Sequence, residues 1–345
     1  MSLPGFLFLL LFVSLISWGV TYSVRHCALA SGWIDRPNAR SSHTVPTPRG
    51  GGVAIVVSFL GTVAAFTALG TLEPLLGIAL LGAGSIVALL GFIDDRSCLR
   101  ARWRFAGHFL AACWVLVCLG PLPPVPLFGR IVDLGIAATL LSALFLVWSI
   151  NLFNFMDGID GIASLEAITV SLGGAFVWWL TQPQGDWPIA VAFAACVAGF
   201  LVWNFPPARI FMGDAGSGFL GCAVATLALW SSHTASHLFW SWFILGGCFM
   251  VDATVTLVRR VARGERFNEA HRSHAYQYAA RRHGSHKKVS VAFVVVTLGW
   301  LLPIAVAVAL HRLDGLVGVL VAYAPLVWLA FRYKAGDRRA QEVLS

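Results

Sequence analysis

The sequence predicts an all-α fold, a single polytopic bundle of about eleven transmembrane helices over residues 1–345. Hydrophobic residues make up 58% of the chain and charged residues only 12%, whereas roughly a quarter of the residues of a soluble domain are charged. The mean hydropathy is +0.78. Apolar runs of about 20 residues, the length that crosses a ~30 Å hydrocarbon core, recur along the chain. A soluble globular domain and a disordered chain are therefore both excluded.

Each candidate helix is an apolar run of suitable length. The first run is interpreted as a retained helix, because no basic segment precedes it and no small-residue cleavage signature follows it. In chain order the runs are 3–24, 51–70, 75–93, 105–120, 135–153, 162–180, 189–203, 218–232, 238–258, 289–310 and 315–332.

The basic residues predict the orientation of the bundle. If the N-terminus lies outside, 22 of the 24 Lys and Arg residues fall on one side of the membrane, and only Arg130 and Arg312 fall on the other. Because Lys and Arg collect in cytoplasmic loops, we expect that side and the C-terminus to be cytoplasmic. The segments on that side are 25–50, 94–104, 154–161, 204–217, 259–288 and the tail from 332.

Two groups of acidic residues lie in these cytoplasmic segments. Asp94 and Asp95 end the third helix, and Asp157 and Asp160 follow the fifth. A spacing of three predicts that Asp157 and Asp160 occupy neighbouring positions of a helical turn, with Asn154 on the same face.

A fifth carboxylate, Asp214, follows two prolines that should end a helix, and it is surrounded by glycines that allow close approach of the backbone to a ligand. Five carboxylates from three segments would repel one another unless a positive charge lay among them. A divalent cation that prefers oxygen ligands, Mg²⁺ or Mn²⁺, is the simplest candidate.

The same face carries groups that bind anions. Carboxylates for a metal, together with Arg, His and glycine for phosphate oxygens, indicate a phosphoryl-transfer site. Taken singly, an acidic pair at a helix end is more often a cap, and a run of arginines is more often positive-inside charge or a contact to lipid headgroups. The anion-binding candidates are Arg40, Arg49, Arg209, Arg259, Arg260, Arg263, Arg266, His271, Arg272 and His274, with Gly50, Gly51 and Gly52.

Five motifs occur in order from about Asp35 to Gln277. They are Asp-Arg-Pro-Asn-Ala-Arg-Ser-Ser-His-x-x-Pro-Thr-Pro-Arg-Gly-Gly-Gly (35–52), the Asp94-Asp95 pair, Asn-Phe-Met-Asp-Gly-Ile-Asp-Gly (154–161), Phe-Met-Gly-Asp-Ala-Gly-Ser (211–217) and His-Arg-Ser-His (271–274). In this combination the chain resembles the polyprenyl-phosphate N-acetylhexosamine-1-phosphate transferase family, also called glycosyltransferase family 4. It resembles most the branch that begins O-antigen and related cell-surface glycans.

The resemblance implies a Mg²⁺-dependent reaction, with Mn²⁺ as the alternative cation, at the cytoplasmic face of a bacterial inner membrane. UDP-N-acetylhexosamine and undecaprenyl phosphate would give undecaprenyl-diphospho-N-acetylhexosamine and UMP. Asp214 would be the metal ligand. Asp94 would be the base that keeps the lipid phosphate ionised, with Asp95 beside it for metal or positioning. The partners implied are the UDP-sugar, the lipid acceptor and the bilayer, with no nucleic acid; a homodimer is left open.

Further roles are implied for the remaining motif residues. Asn154, Asp157 and Asp160 would hold the nucleotide sugar, with Asp157 counted among the catalytic residues, and Phe211 would contact the uracil. The loop that contains Arg266, His271, Arg272 and His274 would meet the diphosphate and the sugar, with His274 as a catalytic residue. The chain departs from many relatives at Cys98, where they often carry an acidic residue or lysine.

Four alternatives remain open at this stage. Composition allows a purely structural scaffold, but a scaffold leaves the acidic cluster unexplained. A secondary transporter would place its coupling acids near the bilayer midplane, and the acids inside predicted spans, Glu166 and Asp252, fall toward the cytoplasmic third. A phosphotransferase for CDP-alcohols would carry its acids on one helix, whereas these come from separate loops. Within the preferred family, a covalent intermediate on Asp94 competes with direct displacement. The sequence does not identify the sugar.

Overall fold

Helices form nearly all the regular structure of this computed structural model, which describes residues 2–37, 45–97, 99–265 and 272–337. The helices are α1 (Leu3–Ser31), α2 (Val53–Ala68), α3 (Pro74–Ser97), α4 (Ala101–Leu119), α5 (Ile136–Met156), α6 (Ile162–Thr181), α7 (Trp187–Asn204), α8 (Asp214–Thr234), α9 (Leu238–Leu245), α10 (Gly247–Val261), α11 (Ala275–His283), α12 (His286–Val296), α13 (Leu302–Ala309) and α14 (Gly315–Arg332), with a π-helical turn at Thr297–Leu301. Two antiparallel ribbons pair β1 (Ile34–Asp35) with β2 (Thr47–Pro48) and β3 (Val125–Leu127) with β4 (Arg130–Val132).

The predicted all-α fold is confirmed, and each of the apolar runs is helical. The first helix is longer than its apolar run, because it continues through Arg25 and stops at Gly32, which adopts a left-handed φ of 71°. The run 238–258 is divided at Gly246 into α9 and α10, which are bent by 68°. The run 289–310 contains the π-helical turn between α12 and α13.

Eight helical segments of the described residues are long and apolar enough to cross a membrane, counting α12, the π-helical turn and α13 as one continuous segment, His286–Ala309. The number is nine if the bent pair α9–α10 forms one span. Of the other predicted spans, α2 has only 16 residues and α4 begins with Arg102 and Arg104. The predicted count of eleven spans and the orientation of the termini therefore stay predictions.

Helix α8 lies at the centre of the bundle, and 89% of its most apolar stretch is buried. It packs closely on α5, because a Cβ at Gly221 would overlap the backbone of Ser149. Small residues at helix crossings allow such close approach within membranes. By contrast, α1 is only 11% buried and presents exposed apolar side chains such as Leu7 and Phe8, as expected for a helix that faces lipid.

The orientation can be tested with single cysteines at two exposed positions, Arg282 and Arg312. We expect Arg282→Cys to resist an impermeant thiol reagent added to intact cells and Arg312→Cys to react with it, because the positive-inside distribution places them on opposite sides. The control is a background in which all seven native cysteines, including the exposed Cys27 and Cys113, are replaced. Labelling of Arg282→Cys from outside would contradict the predicted orientation.

Candidate active site

The N-terminus of α8 is held by the last turn of α3. The side chain of Asp95 is fully buried, and its Oδ1 accepts the backbone N–H of Asp214 at 2.9 Å while its Oδ2 accepts that of Ala215 at 3.2 Å. Gly213 precedes them with a φ of 80°, and a Cβ there would lie 2.7 Å from Asp95 Oδ2. A carboxylate at a helix N-terminus satisfies free N–H groups and faces the positive end of the helix dipole. Asp95 therefore fixes the position of Asp214.

A test of this capping role is Asp95→Asn, which replaces one acceptor oxygen with an amide group that faces N–H donors. We expect the free energy of unfolding to fall by about 1–3 kcal/mol, the cost of leaving buried donors unsatisfied. Thermal denaturation in detergent measures the change. The control is Asp133→Asn, in the exposed turn before α5, where the side-chain oxygen that accepts the N–H of Gly135 is retained. Equal melting temperatures for the two variants would contradict the role.

A guanidinium group lies between two of the carboxylates. Arg49 Nη2 is 2.9 Å from Asp95 Oδ1 and 3.0 Å from Asp214 Oδ1. Burial lowers the pKa of Arg49, but the charges of Asp214 and Asp95 more than offset this and raise it. Part of the positive charge that the acidic cluster requires is therefore supplied by this arginine.

Arg49 reaches this position because the residues on either side of it are hydrogen-bonded through the backbone to the segment before α8. Phe211 donates its N–H to Pro48 O at 2.8 Å, Gly51 donates to Phe211 O at 2.9 Å, and Gly52 donates to Met212 O at 2.9 Å. These backbone hydrogen bonds join two of the sequence motifs, which are far apart along the chain. The glycines are required here, since a Cβ at Gly52 would overlap the backbone of α8.

Asn154, near the end of α5, also contacts the carboxylate of Asp214. Its Nδ2 donates to Asp214 Oδ1 at 3.0 Å and to Ser217 Oγ at 3.1 Å. Its Oδ1 accepts from Arg104 Nη2 at 3.4 Å. Asn154 was predicted to hold the nucleotide sugar; in this structure it orients the carboxylate of Asp214.

Asp94 faces a second arginine. Its Oδ2 is 3.2 Å from Arg104 Nε, and its Oδ1 accepts the N–H of Leu99 at 2.7 Å. Asp94, Arg104, Asn154 and Asp214 line a narrow crevice between α3, α4, α5 and α8. The predicted proximity of Asp94 to Asp214 is thus present, with Arg104 as a neighbour that the sequence analysis did not single out.

Asp157 ends α5 as its C-cap, and within the described part of the chain its carboxylate accepts no hydrogen bond and joins no ion pair. Burial, and then the charge of Asp214, raise its pKa well above the usual range. The predicted helical turn through Asp157 and Asp160 is wrong, because α5 stops at Met156 and a tight turn precedes α6. The turn directs the two carboxylates to different neighbours.

Asp160 is held on the far side of that turn. Its Oδ2 accepts the N–H of Ala208 at 3.0 Å, its Oδ1 is 3.3 Å from His286 Nδ1, and its carbonyl accepts from Ser290 Oγ at 2.9 Å. Together with Phe211, it lines a cavity of about 560 Å³. The other chemically active side chains around this cavity are Gln277, Arg281, His286 and Lys287.

The predicted basic loop is only partly described. His274 is 3% exposed, and its Nδ1 lies 3.3 Å from Asp252 Oδ1 at the start of α11. Arg272 lies near the cavity, where its charge, after burial, lowers the pKa of Arg281. Arg266, His271 and also Cys98 lie outside the described residues.

No three acidic, His or Cys side chains among the described residues are arranged as a ready metal site. Within the described ranges, the acidic cluster instead contains Arg49 and Arg104, and the carboxylate of Asp157 has no hydrogen-bond or ion-pair partner there. Sequence reasoning missed Arg104 and His286, which stand in no recognisable spacing with the acids they contact, and it did not connect Asp252 with His274.

The chain is similar to several known proteins. A family model described as glycosyl transferase family 4 matches residues 77–232, which include the five aspartates, Asn154 and Phe211. A protein of Bacillus subtilis (strain 168), named a probable undecaprenyl-phosphate N-acetylglucosaminyl 1-phosphate transferase, is 30% identical over 301 residues, covering 84% of this chain and 80% of that protein.

Two further relatives have related names. Decaprenyl-phosphate N-acetylglucosaminephosphotransferase of Mycobacterium tuberculosis is 31% identical over 307 residues, covering 80% of this chain and 76% of that protein. Phospho-N-acetylmuramoyl-pentapeptide-transferase of Moorella thermoacetica is 33% identical over 252 residues, covering 68% of this chain and 76% of that protein.

Proposed function

The chain belongs to glycosyl transferase family 4, the polyprenyl-phosphate sugar-1-phosphate transferases, and from this premise we propose that it transfers N-acetylhexosamine-1-phosphate from a UDP-sugar to undecaprenyl phosphate. The products would be undecaprenyl-diphospho-N-acetylhexosamine and UMP. The names of the relatives favour this reaction over a transporter. The motifs support a place in the first membrane step of O-antigen or a related cell-surface glycan, at the cytoplasmic face of the inner membrane.

The position of Asp214 carries the proposal. Its carboxylate receives Arg49 and Asn154 on one oxygen, and its backbone N–H is fixed by Asp95. On one side lies the crevice with Asp94. On the other, its own loop leads to Phe211 and the large cavity. Such an arrangement suits a reaction in which two anionic substrates approach one fixed carboxylate from different sides.

The cavity of about 560 Å³ is our proposed site for the nucleotide part of the donor. This volume is within the usual range for small-molecule sites, about 300–1,000 Å³. Phe211 offers a ring for the uracil. Arg281 and Lys287 supply positive charge for the ribosyl phosphate, and Asp160 is already fixed by His286 at the edge of the cavity.

The residues present fit a magnesium ion whose coordination is completed by oxygens of the substrate. Mg²⁺ commonly binds one or two carboxylates together with substrate phosphates, so a ready cage of three side chains is not required. Asp214 and Asp157 would hold it, since Asp157 is a half-buried carboxylate without a hydrogen-bond or ion-pair partner among the described residues. The bound cation would supply charge neutralisation at the diphosphate.

The protein's own groups then account for the remaining steps. Arg104 would bind the phosphate of the lipid beside Asp94, and Asp94 would accept its last proton. An oxygen of that phosphate attacks the phosphorus attached to the sugar, a new P–O bond forms, and the bond to the UMP oxygen breaks. Arg49 would stabilise negative charge on the transferring group. We prefer this direct displacement, because it needs no covalent intermediate on Asp94.

The test is an assay of the purified protein with undecaprenyl phosphate and a panel of UDP-sugars, measuring UMP release and the lipid product. We expect turnover with at least one UDP-N-acetylhexosamine in the presence of Mg²⁺, and none with CDP-alcohols. UDP-glucose, which lacks the N-acetyl group, is the matched control. The absence of a lipid-linked product with every N-acetylated sugar would overturn the proposal, and the panel also identifies the sugar.

A further inference from the structure

The short helix α11 is fastened to the turn that carries Asp157. Tyr276, in the first turn of α11, is 1% exposed, and its Oη donates a hydrogen bond to the backbone carbonyl of Phe155 at 3.0 Å. Gly158 lies against the same hydroxyl, since a Cβ there would overlap Tyr276 Oη. The hydroxyl group therefore contacts the backbone both before and after Asp157.

The next residue of α11 contacts the same turn. A Cβ at Gly158 would lie 3.0 Å from Gln277 Nε2, while Gln277 Oε1 accepts the backbone N–H of His274 at 3.3 Å. The turn therefore meets two side chains of α11 at a position where only glycine fits. The side-chain amide of Gln277 and the phenol of Tyr276 therefore both pack against the turn at Gly158.

Helix α11 is itself anchored to α10 by a buried carboxylate. Asp252 is 4% exposed; its Oδ1 accepts the N–H of Ala275 and its Oδ2 the N–H of Tyr276, both at 2.9 Å. Thr256 Oγ1 donates to the same Oδ1 at 3.2 Å. A carboxylate that receives two N–H groups at a helix start fixes both the position and the direction of that helix. A continuous set of contacts thus runs from Asp252 through Tyr276 to the turn at Asp157.

We propose that Tyr276 is a positioning residue for Asp157, and that Asp252 acts through Tyr276 to hold that carboxylate in the active site. Asp157 has no polar side-chain partner among the described residues, so its location depends on the backbone on either side of it, and Tyr276 holds that backbone. The proposal rests on the proposed function only in assigning Asp157 to the transfer reaction. A misplacement of a reacting group by about 1 Å can cost up to about 10²-fold in rate.

Tyr276→Phe tests the proposal, because it keeps the buried ring and removes only Oη. The matched control is Tyr278→Phe on the same helix, whose ring lies 5.4 Å from Lys334 Nζ and whose hydroxyl makes no hydrogen bond within the described part of the chain. Hydrogen exchange of residues 155–161, followed by mass spectrometry, measures the turn directly. We expect exchange there to be about three- to tenfold faster in Tyr276→Phe, the equivalent of one hydrogen bond, and unchanged in Tyr278→Phe.

Kinetics provide the second readout. We expect kcat of Tyr276→Phe to fall about tenfold while KM for the lipid acceptor stays within about twofold. A purely structural role would lower the melting temperature and leave kcat of the folded protein unchanged. Asp252→Asn should reproduce the faster exchange at 155–161 without altering Tyr276 itself, because it removes one of the acceptors at the start of α11.

The outcomes distinguish the two proposals. An inactive wild-type protein would overturn the proposed function, whereas the exchange measurement would still decide whether Tyr276 holds the turn. Exchange at 155–161 that is equal in wild type and Tyr276→Phe would overturn the positioning role, as would faster exchange with unchanged kcat in an active enzyme.

Discussion

Asp214→Asn is expected to lower transfer activity by about 10²–10³-fold, the largest effect predicted for this protein. The substitution keeps the shape of the side chain and removes a negative charge. The new amide would face Arg49 or Asn154, both of which donate to Asp214 Oδ1. It would also remove one of the two carboxylates proposed to bind Mg²⁺. Steady-state UMP release, together with Mn²⁺ binding measured by electron paramagnetic resonance, checks both consequences.

Asp186→Asn is the matched control, since Asp186 precedes α7 and its carboxylate accepts from Trp230 Nε1, away from the site. We expect near wild-type turnover and Mn²⁺ binding for this variant. Full activity of Asp214→Asn at low Mg²⁺, or undiminished wild-type activity in excess EDTA, would contradict the metal-dependent mechanism.

Asp94→Asn is expected to lower kcat by about 10²-fold while the affinity for the UDP-sugar changes by less than about threefold. Asp94 lies in the crevice with Arg104 and is proposed to serve the lipid phosphate, whereas the nucleotide is proposed to occupy the cavity beside Phe211. Asparagine would still accept the N–H of Leu99 but could not accept a proton from the acceptor. Turnover assays and calorimetric titration with the UDP-sugar separate the two effects.

Arg104→Lys is a useful companion to Asp94→Asn, because it keeps a positive charge beside Asp94 and changes its geometry. We expect its main effect on KM for undecaprenyl phosphate. Loss of UDP-sugar binding in Asp94→Asn would place Asp94 on the donor side and reverse the assignment. A trapped phosphorylated enzyme that disappears in Asp94→Asn would favour double displacement.

The helices could be predicted from the sequence because they coincide with long apolar runs, most of them close to the length that a bilayer requires. The clustering of Asp94, Asp95 and Asp214 was also accessible, since all three stand at helix ends on the basic side of the chain. The prediction that was wrong concerns the backbone conformation between α5 and α6. The turn after Met156 separates Asp157 from Asp160, although their spacing equally suits a helix. No periodic pattern distinguishes a helix that continues from one that ends one residue earlier.

The sequence also does not predict which partner each acidic residue contacts. Asp94 and Asp95 are neighbours in sequence, but one pairs with Arg104 and the other caps α8. His274, expected to be catalytic, is 3% exposed and lies beside Asp252 at the start of α11. These roles depend on partners from remote segments, and charge spacing within one segment carries no information about them.

The backbone pairing of Pro48–Gly52 with Phe211–Met212 has a consequence for changing the preference for the sugar-nucleotide donor by mutation. The register of these segments rests on main-chain hydrogen bonds, which do not involve the side chain of Phe211. A new side chain at that position would therefore reshape the wall of the cavity proposed for the nucleotide while the adjoining carboxylate of Asp214 keeps its place. The residue proposed to contact the nucleobase and the proposed metal ligand thus lie only three residues apart, and this loop is a natural starting point for engineering altered nucleobase preference without rebuilding the proposed active site.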